Sequence, residues 1–308
     1  MFTTDPSAFV AAVRALPPLP GSRTTARAIM LVAPHGFRVS DETARDNAYM
    51  TAGANADGER ALAQHALLAQ AIAADTGLPV QVFPGDPATP DACFPNNVFA
   101  TARGRLLLGA MRHPERRREA ERADIPAWFA EAFGYPVERL PDAPGHVAEL
   151  TGALIIDHAR GIGVHGLTER CTLDGARAMH EAFGLRASLA TPLAGSEYHT
   201  NVVMSILAGR ALVIHAPSFT APGAADAIAS LWPDDHVLWL TDTEKAAFVG
   251  NCIALTSDQV WMSARAERAL THANRLCLRR ASFDVHTVGI DEIERAGGSL
   301  RCCVCEVY

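Results

Sequence analysis

Asn201-Val202-Val203-Met204-Ser205-Ile206-Leu207-Ala208-Gly209-Arg210-Ala211-Leu212-Val213-Ile214-His215 holds two apolar runs parted by Ala208-Gly209-Arg210. Both runs have strand length and favour extended backbone, and a glycine-containing link this short makes them a hairpin. Strands joined so tightly must be antiparallel, because a parallel pair needs a crossover of a dozen or more residues. The pattern matters because strands alternating with helices ordinarily suggest a parallel doubly wound sheet. Tight hairpins recurring along the chain argue against that sheet.

They do recur. Asn97 to Thr101 and Arg105 to Met111 read as strands around Arg103-Gly104. Ala153 to His158 pairs with Ile162 to His165 around Ala159-Arg160-Gly161, and Cys252 to Leu255 with Gln259 to Met262 around Ser257-Asp258. After each hairpin comes a helical segment: 114–134 (interrupted at Pro126), Glu169 to Phe183, Pro222 to Leu231 and Ala264 to Arg279. Short strands then follow at Tyr135 to Leu140, Leu185 to Leu189, His236 to Leu240 and Phe283 to Val288. Near the start, a short helix over 5–15 precedes the apolar run Ala28 to Pro34. A helix over 57–76, with Leu62, Ala66, Ala69 and Ile72 near helical spacing, leads to a strand from Leu78 to Phe83. A short helix from Ile290 to Ala296 leads to a terminal strand. Hairpin, helix, short strand thus repeats about five times at roughly sixty residues. The expected fold is α/β, a ring of ββαβ units in one domain over 1–308, since no linker or low-complexity stretch divides the chain.

Composition narrows the function classes. Of 308 residues, 49% are hydrophobic and 20% charged, an ordinary globular balance. Net charge is −7 and there is no basic tract of the kind that follows nucleic acid. The densest basic run, Arg112 to Arg122, is interleaved with Glu115, Glu119 and Glu121 and reads as a solvated helix face. No apolar run is long enough to span a membrane, and the first residues lack a signal-peptide pattern. Seven cysteines, an odd number clustered at one end, do not form a secreted disulfide framework. A cytoplasmic protein is expected, with neither nucleic-acid nor membrane partners; homodimerisation is left open.

The chemistry gathers where the hairpins begin. Phe94-Pro95-Asn96-Asn97, Glu149-Leu150-Thr151-Gly152, Glu197-Tyr198-His199-Thr200-Asn201 and Gly250-Asn251-Cys252 open four of them. Gly297-Gly298-Ser299-Leu300-Arg301-Cys302-Cys303-Val304-Cys305 opens the last strand, with Cys302 at its mouth. In a ring, equivalent strand ends converge on the axis, so a carboxylate, an imidazole, a thiol and several amides would meet. Cys302 has three readings: a buried core thiol, a metal ligand with Cys305, or a nucleophile.

Taken in order, Phe94-Pro95-Asn96-Asn97, Glu149-x-x-Gly152, Leu167-Thr168-Glu169-Arg170, His199-Thr200-Asn201 and Gly-Gly-x-x-Arg301-Cys302 resemble the guanidino-group-modifying superfamily. It includes arginine deiminases, dimethylarginine dimethylaminohydrolases and amidinotransferases, and the citrulline-utilisation hydrolase branch looks nearest. The resemblance runs from about Ile29 to Tyr308. It implies a five-bladed ββαβ propeller, the pentein-like fold, and a cysteine hydrolase that needs no metal or organic cofactor. By its pattern Cys302 is the nucleophile, His199 the general acid/base and Glu149 the carboxylate beside it. Asn97, Asn96 and Asn201 would contact substrate, and Arg170 would grip the amino-acid carboxylate. Cys303 and Cys305 read as strand residues.

Two departures bear on substrate. Deiminases and dimethylaminohydrolases carry an acidic residue where this chain has Asn96-Asn97, and deiminases tend to have His-x-Asp where it has His199-Thr200-Asn201. A carboxamide offers both donor and acceptor and suits a neutral ureido group better than a guanidinium. Citrulline is therefore the favoured substrate, giving ornithine, CO2 and ammonia. The alternatives are hydrolysis of arginine or methylated arginine, with Asp41, Asp46, Asp86 or Asp91 facing the guanidinium, amidino transfer, a binding propeller without chemistry, and a metal site using Cys302, Cys305 and His199.

Overall fold

The computed structural model describes residues 1–50 and 56–308. Five small mixed sheets are built on one plan. In each, a first strand pairs antiparallel with a second, and the second pairs parallel with a third. The sheets are Phe99–Ala102/Arg105–Leu108/Val137–Arg139, Leu154–Asp157/Ile162–Leu167/Ala187–Pro192, Met204–Leu207/Ala211–Ile214/Val237–Trp239 and Ile253–Ala254/Gln259–Ser263/Asp284–Val288. The fifth joins both ends of the chain: Cys305–Val307 lies antiparallel to Ala28–Val32, which runs parallel to Val80–Phe83. The second sheet gains an edge strand, Phe2–Thr3.

Each hairpin follows from its turn. Arg103 and Gly104, the two-residue link between Phe99–Ala102 and Arg105–Leu108, both take positive φ, +54° and +70°, the backbone that matches the twist of the paired strands. The parallel third strand follows from the helix between, which supplies the crossover length. The apolar core is divided among neighbours. Leu107 and Leu154 share one cluster of the first and second sheets, Val164 and Leu212 one of the second and third, Val213 and Val260 one of the third and fourth. Trp261 and Leu31 link the fourth to the fifth, and Met30 and Leu106 link the fifth back to the first.

Several boundaries move from the sequence reading, each for a local reason. Segment 114–134 is two helices, Pro114–Glu119 and Asp124–Phe133; Pro126 sits in the first turn of the second, where its missing N–H costs nothing. Segment 264–279 divides at Thr271, whose side chain caps a second helix by accepting from Asn274 N at 3.3 Å. The helix expected from Glu169 starts at Leu173, capped by Thr172, so Arg170 lies in the preceding bend. In Gly58–Thr76 the buried stripe is Ala61, Gln64, His65, Leu68 and Ile72. The short helix expected at Ile290 to Ala296 is a single 3-10 turn, Ile293–Arg295.

The most consequential shift concerns the hairpin entries. Three of the expected strand starts are one-turn helices leading into the first strands: Leu150–Ala153, Thr200–Val203 and Leu300–Cys303, with a 3-10 turn at Pro95–Asn97. Cys302 and Cys303 belong to such a turn, and only Cys305 is in the strand. The turns at 95–97, 150–153, 200–203 and 300–303 pack on one another.

Candidate active site

These turns bring Glu149, His199, Asn201 and Cys302 together, with Asn251 from the loop before the fourth hairpin. All five are buried, Cys302 at 1% exposure. His199 precedes its turn in extended backbone, and its Nε2 meets Glu149 Oε2 at 2.8 Å. A carboxylate can only accept here, so Nε2 carries the proton and Nδ1 keeps its lone pair. That Nδ1 has no protein partner. Glu149 also accepts from Arg112 N at 3.2 Å and stands 3.7 Å from Arg170 Nη1. Burial pushes its carboxyl up, but the Arg170 charge and the His199 hydrogen bond outweigh this and hold it down to about 2. Burial likewise keeps the His199 imidazole below its ordinary value, against the pull of Glu149. The cluster is an ionised carboxylate beside a neutral imidazole with one free ring nitrogen.

Cys302 Sγ lies 3.2 Å from Asn251 Nδ2 and 3.4 Å from Asn201 Nδ2. Its backbone N donates to Asn251 Oδ1 at 3.3 Å. Burial raises the thiol above its ordinary value, with Asn251 the foremost of the groups pulling it back. Asn201, expected to contact substrate, thus faces the Cys302 sulfur. Asn251 was passed over in the sequence; its only signal was its place at a hairpin entry equivalent to the other four.

Asn96 and Asn97 are placed differently. Both are buried, and Asn96 Nδ2, Asn96 Oδ1 and Asn97 Oδ1 have no hydrogen-bond partner in the protein. Gly152 explains the close approach of Asn97 to the histidine. A Cβ at Gly152 would lie 2.5 Å from Asn97 Oδ1 and 2.8 Å from His199 Cε1. Asp91, a few residues earlier, is buried; its Oδ2 accepts from Thr43 Oγ1 at 2.6 Å and its Oδ1 is unpaired.

Arg170, expected to grip a substrate carboxylate, is engaged within the protein through two of its nitrogens. Nε and Nη2 donate to Asp46 Oδ1 at 3.0 and 2.6 Å, and Nη2 also to Thr43 O at 2.9 Å. The guanidinium lies over the Tyr198 ring and is 2% exposed. Asp46 additionally meets Arg112 Nε and His113 Nε2, each at 2.9 Å. These cations outweigh its burial and hold its carboxyl well below the usual carboxylate range. Asp46, considered only as a guanidinium partner, is instead the anchor of segment 40–50 across the cluster. Tyr49, hydrogen-bonded to Glu197, ties down the end of that segment.

Cys305 Sγ points to Phe99 O at 3.3 Å, away from Cys302 and its asparagines. Among the described residues, no group of three or more His, Cys, Asp or Glu side chains is placed to hold a metal ion. None of the helices there is long and apolar enough to cross a membrane.

A family model described as N,N dimethylarginine dimethylhydrolase, eukaryotic, matches residues 33–308. The chain belongs to this family. Within the wider guanidino-group-modifying superfamily it is a hydrolase acting on non-peptide C–N bonds. Among relatives, it is 26% identical over 225 residues to the N(G),N(G)-dimethylarginine dimethylaminohydrolase of Mycobacterium tuberculosis (strain ATCC 25618 / H37Rv), covering 71% of this chain and 67% of the relative. Its fold resembles the N-terminal domain of ArgZ, an arginine dihydrolase from Cyanobacteria solved bound to substrate, with TM-score 0.79, 21% identity and coverage of 91% of this chain and 98% of that domain. The same match spans 40% of the full-length ArgZ chain. A dimethylarginine dimethylaminohydrolase variant in an adduct with S-methyl-L-thiocitrulline matches with TM-score 0.70, 19% identity and coverage of 92% and 100%.

Proposed function

We propose that this family member hydrolyses citrulline to ornithine, CO2 and ammonia through a covalent intermediate on Cys302. The observation that carries the substrate is the neutral carboxamides of Asn96, with both side-chain polar atoms unpartnered, and Asn97, whose unpartnered oxygen lies across Gly152 from His199. A ureido group has a C=O and NH2 to pair with carboxamides, whereas a buried guanidinium calls for a carboxylate. Of the nearby acids, Asp46 is already engaged by Arg170, Arg112 and His113, and Glu149 by His199 and Arg170.

In this reading Cys302 gives its proton to the free Nδ1 of His199, and the thiolate attacks the ureido carbon. The bond from that carbon to the ornithine nitrogen breaks, and His199 returns the proton to the departing amine. The carbamoyl group remains on sulfur. His199 then draws a proton from water, the hydroxyl adds to the carbamoyl carbon and the C–S bond breaks, with the proton returning to sulfur. The carbamate released falls apart to CO2 and ammonia, so one water is consumed overall. Glu149 holds the histidine tautomer and shares the charge.

The same reading takes the five sheets as blades of one closed propeller, a single catalytic domain over 1–308. The core clusters shared by each sheet with its neighbours, the fifth with the first, support it. Seven free cysteines suit a reducing cytoplasm.

Asp91 favours a second reading, in which its unpaired Oδ1 meets the guanidinium of arginine or a methylated arginine and citrulline is the product. Product analysis separates the two. Purified protein is incubated with citrulline, arginine and dimethylarginine in turn, with Cys302→Ala as control. Ornithine from citrulline alone, lost in the control, is expected. Citrulline formed from arginine or dimethylarginine would replace the first reading with the second.

A further inference from the structure

The surroundings of the nucleophile are short of positive charge. Arg301, next in sequence, directs Nη1 to Val304 O at 3.0 Å and Nη2 to Glu306 at 2.8 Å. His199 is held neutral by burial. What touches the sulfur is carboxamide, from Asn251 at 3.2 Å and Asn201 at 3.4 Å.

The orientation of Asn251 follows from its hydrogen bonds. Oδ1 accepts from Cys302 N at 3.3 Å, and Nδ2 donates to Asn201 O at 2.8 Å. Flipping the amide would set two oxygens together and two N–H groups together, so the N–H edge must face the sulfur. Asn201 is buried at 0% exposure with its Nδ2 3.4 Å and its Oδ1 3.7 Å from the same sulfur, so it can donate to a thiolate or accept from the thiol.

We propose that Asn201 and Asn251 form a neutral cradle of two N–H donors that holds the Cys302 thiolate, and that this cradle fits the enzyme to an uncharged ureido substrate. A guanidinium substrate brings its own positive charge to the sulfur, which favours the thiolate in a dry site. A ureido substrate brings none, so the protein must supply the stabilisation. Neutral donors do this without placing a carboxylate that would repel the thiolate. Asparagine at 201, where the deiminase pattern tends to Asp, is the sequence mark of that choice. The second half of the proposal rests on the ureido reading; the first half does not.

The test needs no substrate. Alkylation of Cys302 by iodoacetamide is followed across pH, with the Cys302 peptide quantified by mass spectrometry, because the thiolate is the reacting form. In Asn251→Ala and Asn201→Ala the midpoint is expected to rise by about one to two pH units, the loss of one hydrogen bond to a charged group. In the near-isosteric Asn201→Asp it should rise further, because a carboxylate then faces the thiolate. An unmoved midpoint in Asn201→Asp, with circular dichroism showing a folded protein, overturns the cradle even if Asn251→Ala does not fold. The substrate half is read separately, as the ratio of kcat/KM for arginine to that for citrulline. Asn201→Asp should shift the ratio at least about tenfold toward arginine, the scale of one hydrogen bond. An unchanged ratio overturns this half, whereas a wild-type enzyme inactive on citrulline sinks the ureido reading and leaves the alkylation result standing.

Discussion

Two pairs of buried asparagines flank the same histidine and differ in one respect. Asn201 and Asn251 direct their N–H groups to Cys302, and Asn251 also donates to Asn201 O. Asn96 leaves both side-chain atoms unpaired and Asn97 its oxygen. Burying an amide without a hydrogen bond costs about 1–3 kcal/mol by protein mutational scales, so the first pair has its compensation in the fold and the second awaits it from a ligand. On the proposed function, the contrast separates asparagines that would hold the Cys302 sulfur from asparagines that would meet the substrate, although all four lie at turns.

The largest expected effect comes from breaking the support of the second pair. Arg116, 1% exposed, donates from Nη2 to Phe94 O at 2.9 Å and sets Nε 2.8 Å from Glu119 Oε1. Replacing it in Arg116→Met leaves Glu119, whose carboxyl burial already raises to about 8, without the cation that holds it down, and Phe94 O without its donor. A loss of about 3–5 kcal/mol in unfolding free energy is expected, read from urea denaturation. A loss below about 1 kcal/mol would mean that Phe94–Asn97 is held by its own packing and that its unpaired amides need no rigid support.

Next in size is a split between the pairs. Asn97→Ala should lower kcat/KM for citrulline by about 10–100-fold, the worth of one or two buried hydrogen bonds, while the pH midpoint of Cys302 alkylation stays put. Asn201→Ala should move both. If Asn97→Ala also moves the alkylation midpoint, the pairs are one unit and the contrast fails.

How much of this was legible beforehand depends on which forces act locally. The hairpins were readable because turn chemistry such as Ala208-Gly209 acts within a few residues. Glu149, His199 and Cys302 could be singled out because each stands at an equivalent point of a repeat. The pairing of Arg170 could not be read: its partner Asp46 lies more than a hundred residues away, and only the folded chain brings the two within 2.6 Å. Asn251 was missed for a related reason. It has the residue type of an ordinary turn, and its role exists only through a sulfur contributed by another sheet's entry.

Gly152 stands between the regions and tests how tightly they are joined. Gly152→Ala would drive a methyl to 2.5 Å from Asn97 Oδ1 and 2.8 Å from the His199 ring. Both neighbours must move, and overpacking of this kind costs about 1–3 kcal/mol. The cost should appear in kcat more than in KM, because the histidine is displaced together with the asparagine. A variant that loses only KM would show that Asn97 yields alone and the imidazole stays where Glu149 holds it.

The smallest effect, per pH unit, separates the stability of the fold from that of the site. His165 is buried with both ring nitrogens unpaired, and burial lowers it to about 3; His65 is lowered to about 4 in the same way. Folded pKa values below the unfolded value mean that the native state binds fewer protons. Their stabilisation is therefore complete above about pH 6.5 and is lost as pH falls. Glu149 adds a loss of the same sign only below its ordinary carboxylate range, because its folded carboxyl is held to about 2. Between about pH 6.5 and 4.5 the buried histidines set a loss of about 1.4 kcal/mol per pH unit for each one fully titrated on unfolding, opposed by Glu119, whose carboxyl burial raises to about 8. Urea midpoints across this window should slope downward with acid, and His165→Leu should flatten the slope without touching either asparagine pair. A slope unchanged by that substitution would assign the acid sensitivity to the other buried histidines, His65, His158 and His199.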